Sequence, residues 1–282
     1  MGRNENIAVF EDTEGLCKTN PKLNASIKKS VENQKIFPGT LPLSNINLSR
    51  YESMAAVRVS AKRSFEAASF YRGLKTAVHN FASASNPGGG VVRGANAQEE
   101  CLCRCSGLYF CLNTSAMWEG FYTPHRKAKN PLHNDDIIYT PGVTVFKTDT
   151  ANPKLMPEPD WYNVDVITCA APNLRANPGN SYNSGDGDRA AVLSDGDLLK
   201  LHEKRLSRIL DVAALNEEEV VILGAFGCGA FLNNPEIVAQ AAKNVLVDYM
   251  YAFKTIEYAV YCSPRDNKNF QIFKQVLQFW TD

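Results

Sequence analysis

The chain has 282 residues, with 30 Lys plus Arg against 30 Asp plus Glu and a formal net charge of zero. That balance argues against a protein that coats nucleic acid generically, which would carry a basic excess, while 44% hydrophobic and 21% charged residues exclude wholesale disorder. The longest run without a polar side chain, 220–232, is thirteen residues with three glycines among them, short of the about 20 apolar residues that a membrane helix needs.

In chain order, residues 1–10 are polar and lack the apolar core of a signal peptide. A cytoplasmic location is therefore expected, with the eight cysteines as reduced thiols. The pattern predicts a helix over 4–16, broken by Asn20-Pro21, with loops at Pro38-Gly39 and Pro42. Region 1–54 reads as a helical and loop extension packed on a core formed by 55–282, too short to bury much on its own. Strands are expected over 55–59 and 74–81, separated by a helix over 65–71 with Ser64 as its N-cap. After the turn-rich 86–90 a helix is expected over 98–112. Strands over 137–139 and 143–146 flank Pro141-Gly142, and the β-branched run 164–170 reads as a buried strand. Residues 173–197, rich in Asn, Gly, Asp and Ser, form a long exposed loop, a kind of segment that is often functional. A helix over 198–215 places Leu198, Leu201, Leu206, Ile209 and Val212 near one face. A strand (220–223), a helix (235–253), a strand (258–262) and a helix (267–279) complete the chain. Strands alternating with helices imply an α/β sandwich around a largely parallel sheet.

Two glycine-rich segments carry chemistry. In 224–235 a buried strand runs into Gly224, Ala225, Phe226, Gly227, Cys228, Gly229, Ala230 and Phe231, and a helix leaves with Asn234 as N-cap and Pro235 at its first position. Backbone N–H groups and the positive end of a helix suit a phosphate or diphosphate. No Gly-Lys-Ser/Thr follows, so this is not a Walker A loop, and Leu232 stands where a dinucleotide fingerprint needs its third glycine. A tight turn that binds nothing is the competing explanation. The second segment, 86–100, follows a strand with Gly88-Gly89-Gly90 and reaches Gln98-Glu99-Glu100. Glycines admit a ligand close to the backbone, and acids suit a helix N-terminus with or without a function. Parallel α/β sheets gather such loops at the carboxyl ends of their strands. One loop would then hold a diphosphate and the other bring a carboxylate to an attached sugar.

Gly88-Gly89-Gly90, seven intervening residues and Gln98-Glu99-Glu100 resemble the signature of the poly(ADP-ribose) glycohydrolases, and the stretch from Asn80-Phe81-Ala82-Ser83 through Leu112 resembles their microbial branch. The loop 224–235 is similar to that family's diphosphate loop, and Thr168-Cys169-Ala170-Ala171-Pro172-Asn173 has the same flavour. The resemblance covers about 55–282 and, more faintly, the N-terminal arm. It implies a three-layer α/β/α macrodomain-like sandwich with a mixed, largely parallel sheet, and hydrolysis of the ribose–ribose O-glycosidic bond of poly(ADP-ribose) with no metal or cofactor. By the same resemblance Glu100 is the catalytic acid, with a raised pKa expected, and Glu99 binds ribose hydroxyls. Gln98 fixes the helix start, and Asn96 and Gly88, Gly89 and Gly90 approach the distal ribose. Ala225, Phe226, Gly227, Cys228, Gly229, Ala230 and Phe231 wrap the diphosphate, with Phe226 or Phe231 against the ribose. Expected partners are ADP-ribose and its polymer, with ADP-ribosylated proteins or nucleic acids as further candidates, and no membrane. The alternatives are removal of single ADP-ribosyl groups from protein or nucleic acid and a non-catalytic ADP-ribose reader, which would not need the Glu99-Glu100 pair. A nucleotide-binding dehydrogenase is more remote.

Other candidates have plainer readings. Cys101, Cys103, Cys105 and Cys111 lack zinc spacing, and His79, His125, His133 and His202 lack ligand spacing. Asp186, Asp188, Asp195 and Asp197 read as loop and cap acids. Arg126, Lys127 and Lys129 read as a solvated run, and Trp118, Phe121 and Tyr122 as core packing in preference to an adenine platform.

Overall fold

The computed structural model describes residues 2–180, 182–263 and 265–281. One sheet contains β1 (Lys35–Phe37), β2 (Ala56–Ser60), β3 (Thr76–Phe81), β4 (Ile137–Val145), β5 (Tyr162–Cys169), β6 (Val220–Leu223) and β7 (Thr255–Ala259), in the order β1-β4-β5-β3-β6-β7-β2. β1 and β5 flank β4 antiparallel, and every pairing from β5 across to β2 is parallel. The chain also forms α1 (Arg3–Thr19), α2 (Pro21–Glu32), α3 (Ser64–Ala68), α4 (Gln98–Cys105), α5 (Leu108–Leu112), α6 (Ser115–Met117) and α7 (Thr123–Ala128). After β5 come α8 (Asp195–Leu215), α9 (Pro235–Tyr249), α10 (Lys268–Val276) and α11 (Gln278–Thr281).

The side-chain alternation of the central strands creates two cores. Val221, Leu223, Ile167 and Ile256 face Ile209, Val212, Leu246 and Phe273 of α8, α9 and α10. Val78, Val166, Val220 and Ile222 face Phe65, Leu102 and Leu108 of α3, α4 and α5, together with Phe10 of α1. Apolar burial on both sides is why these strands read as nearly continuous hydrophobic runs. Their parallel order brings the loops after β2, β3, β6 and β7 to one edge of the sheet.

The expected sandwich is present, with local differences. Residues 20–37 hold a helix and an edge strand that the polar composition concealed. Asn20 does not merely break the chain: its Oδ1 accepts from Lys22 N at 2.9 Å and Leu23 N at 3.3 Å, capping α2 with Pro21 at the first position. β1, within the N-terminal region, pairs with β4. The helix expected over 98–112 is two helices, because the Cys105 carbonyl accepts from Phe146 N at 3.0 Å and Lys147 N at 3.1 Å instead of continuing the helical ladder. The strands flanking Pro141-Gly142 are one strand with a register shift between Thr140 and Val143. Ser64 is the first residue of α3, and Arg63 precedes it as the cap. β7 starts three residues earlier than expected, at Thr255, where both β2 and β6 pair with it.

Candidate active site

Gln98 ties the start of α4 to the end of β3. Its Oε1 accepts from Phe81 N at 2.9 Å, and its Nε2 donates to His79 O at 2.8 Å and Ser64 Oγ at 3.0 Å. That closure orients the two acids that follow. Glu100 Oε1 accepts from Gly90 N at 2.8 Å and Oε2 from Ala97 N at 2.9 Å, so the side chain reaches back to the N-cap backbone of its own helix. Glu99 Oε2 accepts from Ser83 N at 2.8 Å and Oε1 from Asn80 Nδ2 at 3.2 Å. The side chains leave the helix in different directions, yet both border Gly89. A Cβ there would lie 2.5 Å from Glu100 Oε1 and 3.1 Å from Glu99 Oε2, and φ is +59°, so glycine alone fits without strain.

Glu99 is 2% exposed. Burial first, and the neighbouring Glu100 charge second, push its carboxyl up to about 8, against the lowering effect of the Ser83 and Gly88 N–H groups and the Asn80 amide. A raised carboxyl therefore stands beside the residue at which one was expected.

The loop between β6 and α9 is organised by Asn233. Its Nδ2 donates to the carbonyls of Pro172 at 2.7 Å, Gly227 at 3.1 Å and Phe231 at 3.3 Å. Those acceptors leave Asn233 Oδ1 to accept from His202 Nε2 at 2.8 Å, which sets the histidine tautomer. Burial lowers His202 to about 4, so it is a neutral donor at neutral pH. Gly227 has φ +76°, and a Cβ would fall 2.7 Å from Ala171 Cβ. Among the described residues, the N–H groups of Gly227, Gly229, Ala230 and Phe231 meet no protein acceptor. Asn234 caps α9 through Glu236 N at 3.0 Å, with Pro235 following it.

The two loops face one cleft of about 670 Å³. Gly89, Gly90, Asn96, Gln98, Glu99 and Glu100 line it from one side, and Ala225, Gly227, Gly229, Ala230 and Phe231 from the other. Three residues of the expected site do not line it. Phe226 is turned into the core, with His79 at 4.5 Å and Phe81 at 5.7 Å between ring centroids, so of the two phenylalanines weighed for the ribose only Phe231 borders the cleft. Gly88 packs toward Tyr109 and Cys103. Cys228 is held in the loop by its N–H to Ala225 O at 3.1 Å, and burial pushes its thiol up to about 12, which fits a small structural residue. Asn96 borders the cleft and accepts from the buried Arg104 at 2.5 Å.

Sequence reasoning missed Asn80 and Asn233 as organising residues, and Arg63, Tyr182, Tyr261 and Asn269 as cleft walls. At one end the Arg63 guanidinium lies 4.0 Å from the Tyr261 ring centroid. Asp149 stands nearby, its carboxyl accepting from Phe65 N at 3.0 Å and raised by burial to about 6. Tyr182 could have been sought in the loop already marked as functional by its length. No spacing marks Tyr261, which enters through the order of the strands.

The sequence profile of the microbial-type PARG (poly(ADP-ribose) glycohydrolase) catalytic domain matches residues 4–148, half of the chain. The chain belongs to this family. PARG from Thermomonospora curvata has the same fold over 97% of this chain and 100% of its own, with TM-score 0.79 and 26% identity. Its complex with the inhibitor ADP-HPD superposes with TM-score 0.78 and 27% identity, covering 97% of this chain and 99% of that one. PARG from Deinococcus radiodurans in complex with ADP-ribose is 30% identical, with TM-score 0.72 over 91% of this chain and 98% of its own. No curated protein matches the chain.

Within this PARG-family fold the other candidates find structural uses. All eight cysteines are free thiols, and among the described residues no three His, Cys, Asp or Glu side chains converge as a metal site would require. Phe121 and Tyr122 are buried core. Arg126 is not merely solvated: its Nε donates to Ser85 O at 2.7 Å and its guanidinium lies 4.5 Å from the Trp118 ring centroid. Asp186 is a buried acid, 2.7 Å from Asn173 Nδ2 and 3.2 Å from His133 Nε2. Among the described residues no helix is long and apolar enough to cross a membrane.

Proposed function

We propose that the chain hydrolyses the ribose–ribose O-glycosidic bonds of poly(ADP-ribose) and releases ADP-ribose. The observation that carries this reading is the convergence of Glu99 and Glu100 on Gly89, across one cleft from a loop whose N–H groups meet no acceptor among the described residues. The N–H groups of Gly227, Gly229, Ala230 and Phe231 cradle the diphosphate. Phe231 closes over the distal ribose, and the base occupies the end walled by Arg63, Tyr261 and Asn269.

Bond cleavage passes through an oxocarbenium-like state, positive at the anomeric carbon. Glu100 protonates the departing ribose oxygen and, as carboxylate, then takes a proton from the attacking water. One side chain fills both roles because Glu99 is turned toward Asn80 and Ser83, where it holds ribose hydroxyls. The raised Glu99 keeps a proton near neutrality, so it adds no negative charge beside a substrate that brings its own. The bound diphosphate offsets the developing positive charge. Gln98 and Gly90 act by placing Glu100, and no metal or cofactor takes part.

The binding of ADP-ribose by the Deinococcus protein and of the inhibitor ADP-HPD by the Thermomonospora protein supports the ligand class. Product analysis on defined polymer, mono-ADP-ribosylated protein and ADP-ribosylated DNA tests the reading. Free ADP-ribose is expected from polymer. Release from only the other substrates would move the activity to single-group removal, and tight ADP-ribose binding without turnover on any of them would make the chain a reader.

A further inference from the structure

The N-terminal helix reaches the catalytic loop. Arg3 Nε donates to Arg93 O at 2.8 Å, and Asn6, 2% exposed, donates from Nδ2 to Gly94 O at 3.1 Å. The backbone of Arg3 lies so close to Gly94 that a Cβ there would be 2.3 Å from Arg3 O. The Arg3 guanidinium also donates to the Tyr182 hydroxyl, and the Arg93 guanidinium lies 4.2 Å from the Tyr182 ring centroid. The far edge of that ring rests on Gly90, where a Cβ would come 2.4 Å from Tyr182 Cδ1. Gly90 N is the group that holds Glu100 Oε1.

We infer that Arg3 is a positioning residue for the reaction, acting through Tyr182 and Gly90 on Glu100. The inference rests on the proposed hydrolysis of poly(ADP-ribose). The contacts form an unbroken series: Arg3 fixes the Tyr182 hydroxyl, the Tyr182 ring walls the cleft against Gly90, and the Gly90 N–H orients the acid. Arg3 also grips the 93–94 turn that joins the glycine triad to α4. Tyr182 and the signature loop are thereby pinned to one guanidinium, whose planar fork serves two acceptors at once. α1 therefore belongs to the catalytic apparatus and is more than a cover on the core.

Arg3→Ala in the full chain tests this, with Tyr182→Phe as the second variant. Arg3→Ala is expected to lower kcat on polymer on the order of tenfold, as small displacements of a reacting group do, with affinity for free ADP-ribose within about twofold of wild type. Tyr182→Phe should also lower kcat, and the double variant should be no worse than Arg3→Ala alone, because Arg3→Ala already cuts the link to the Tyr182 hydroxyl. Arg3→Lys should fall between. Amide exchange supplies an arm that needs no turnover: Arg3→Ala should speed exchange at 89–97 and 182–186 and leave the β6–α9 loop unchanged. Additive losses in the double variant, or unchanged exchange at 89–97, would overturn the assignment. A wild-type chain inactive on polymer would defeat the proposed function, while the exchange result would still decide the clamp.

Discussion

Gly89 offers the sharpest test of the acid's placement. Replacing it with alanine sets a Cβ 2.5 Å from Glu100 Oε1, where ordinary contact begins at 3.4 Å. The carboxyl must withdraw by about 1 Å, and a misplacement of that size costs on the order of a hundredfold in rate. The left-handed backbone adds about 1–2 kcal/mol of strain, which lowers the melting temperature by a few degrees in a chain of this size. Gly73→Ala separates the two effects. Gly73 has φ +91° and nothing within 4 Å of its Cβ position, so it carries the backbone strain without the collision. Thermal melts and ADP-ribose release from defined polymer are measured on both variants. Both should melt lower than wild type, and only Gly89→Ala should lose turnover while it remains folded. Equal turnover in the two variants would refute the idea that Gly89 exists to admit the Glu100 carboxyl.

Glu100→Gln, which keeps the shape and removes the proton, should reduce hydrolysis by about 10²–10⁴-fold while calorimetry still shows ADP-ribose binding. Asn233→Ala removes two amide hydrogens shared among three loop carbonyls; at about 1 kcal/mol for each hydrogen, chemical unfolding should show a loss of about 2 kcal/mol, accompanied by weaker ADP-ribose binding. Glu99 gives a pH signature. Its folded pKa of about 8 lies above the ordinary 4.5, so the folded chain holds a proton that the unfolded chain releases. The corresponding stability is fully present below about 4.5 and is lost as pH rises through about 8. Stability curves should therefore decline across that window, and Glu99→Gln should flatten the decline; parallel curves for the two proteins would remove Glu99 as its source.

The sequence made the sheet order's consequence visible before the order itself. The β-branched run 164–170 and the apolar run 220–223 revealed strands buried on both faces, and Asn234-Pro235 marked the start of α9. The signature acids were legible in the glycine triad followed by Gln98-Glu99-Glu100, a pattern that resembles the family signature; only the structure shows Gly90 N reaching Glu100. α2 was hidden because its start signal, Asn20-Pro21, also reads as a break, and its apolar face is narrow. Phe226 could not be told from Phe231 by spacing, since the direction of each depends on how Asn233 folds the loop back. Tyr182, Tyr261 and Arg63 come from three separate loops, and only the tertiary fold brings them to one cleft.

A crystal structure of the chain with ADP-ribose would test the central claim most directly. The diphosphate should lie on the N–H groups of Gly227, Gly229, Ala230 and Phe231, with the anomeric carbon of the distal ribose turned toward the Glu100 carboxyl. A nucleotide seated with its distal ribose remote from Glu100, or with its phosphates away from that loop, would contradict the account.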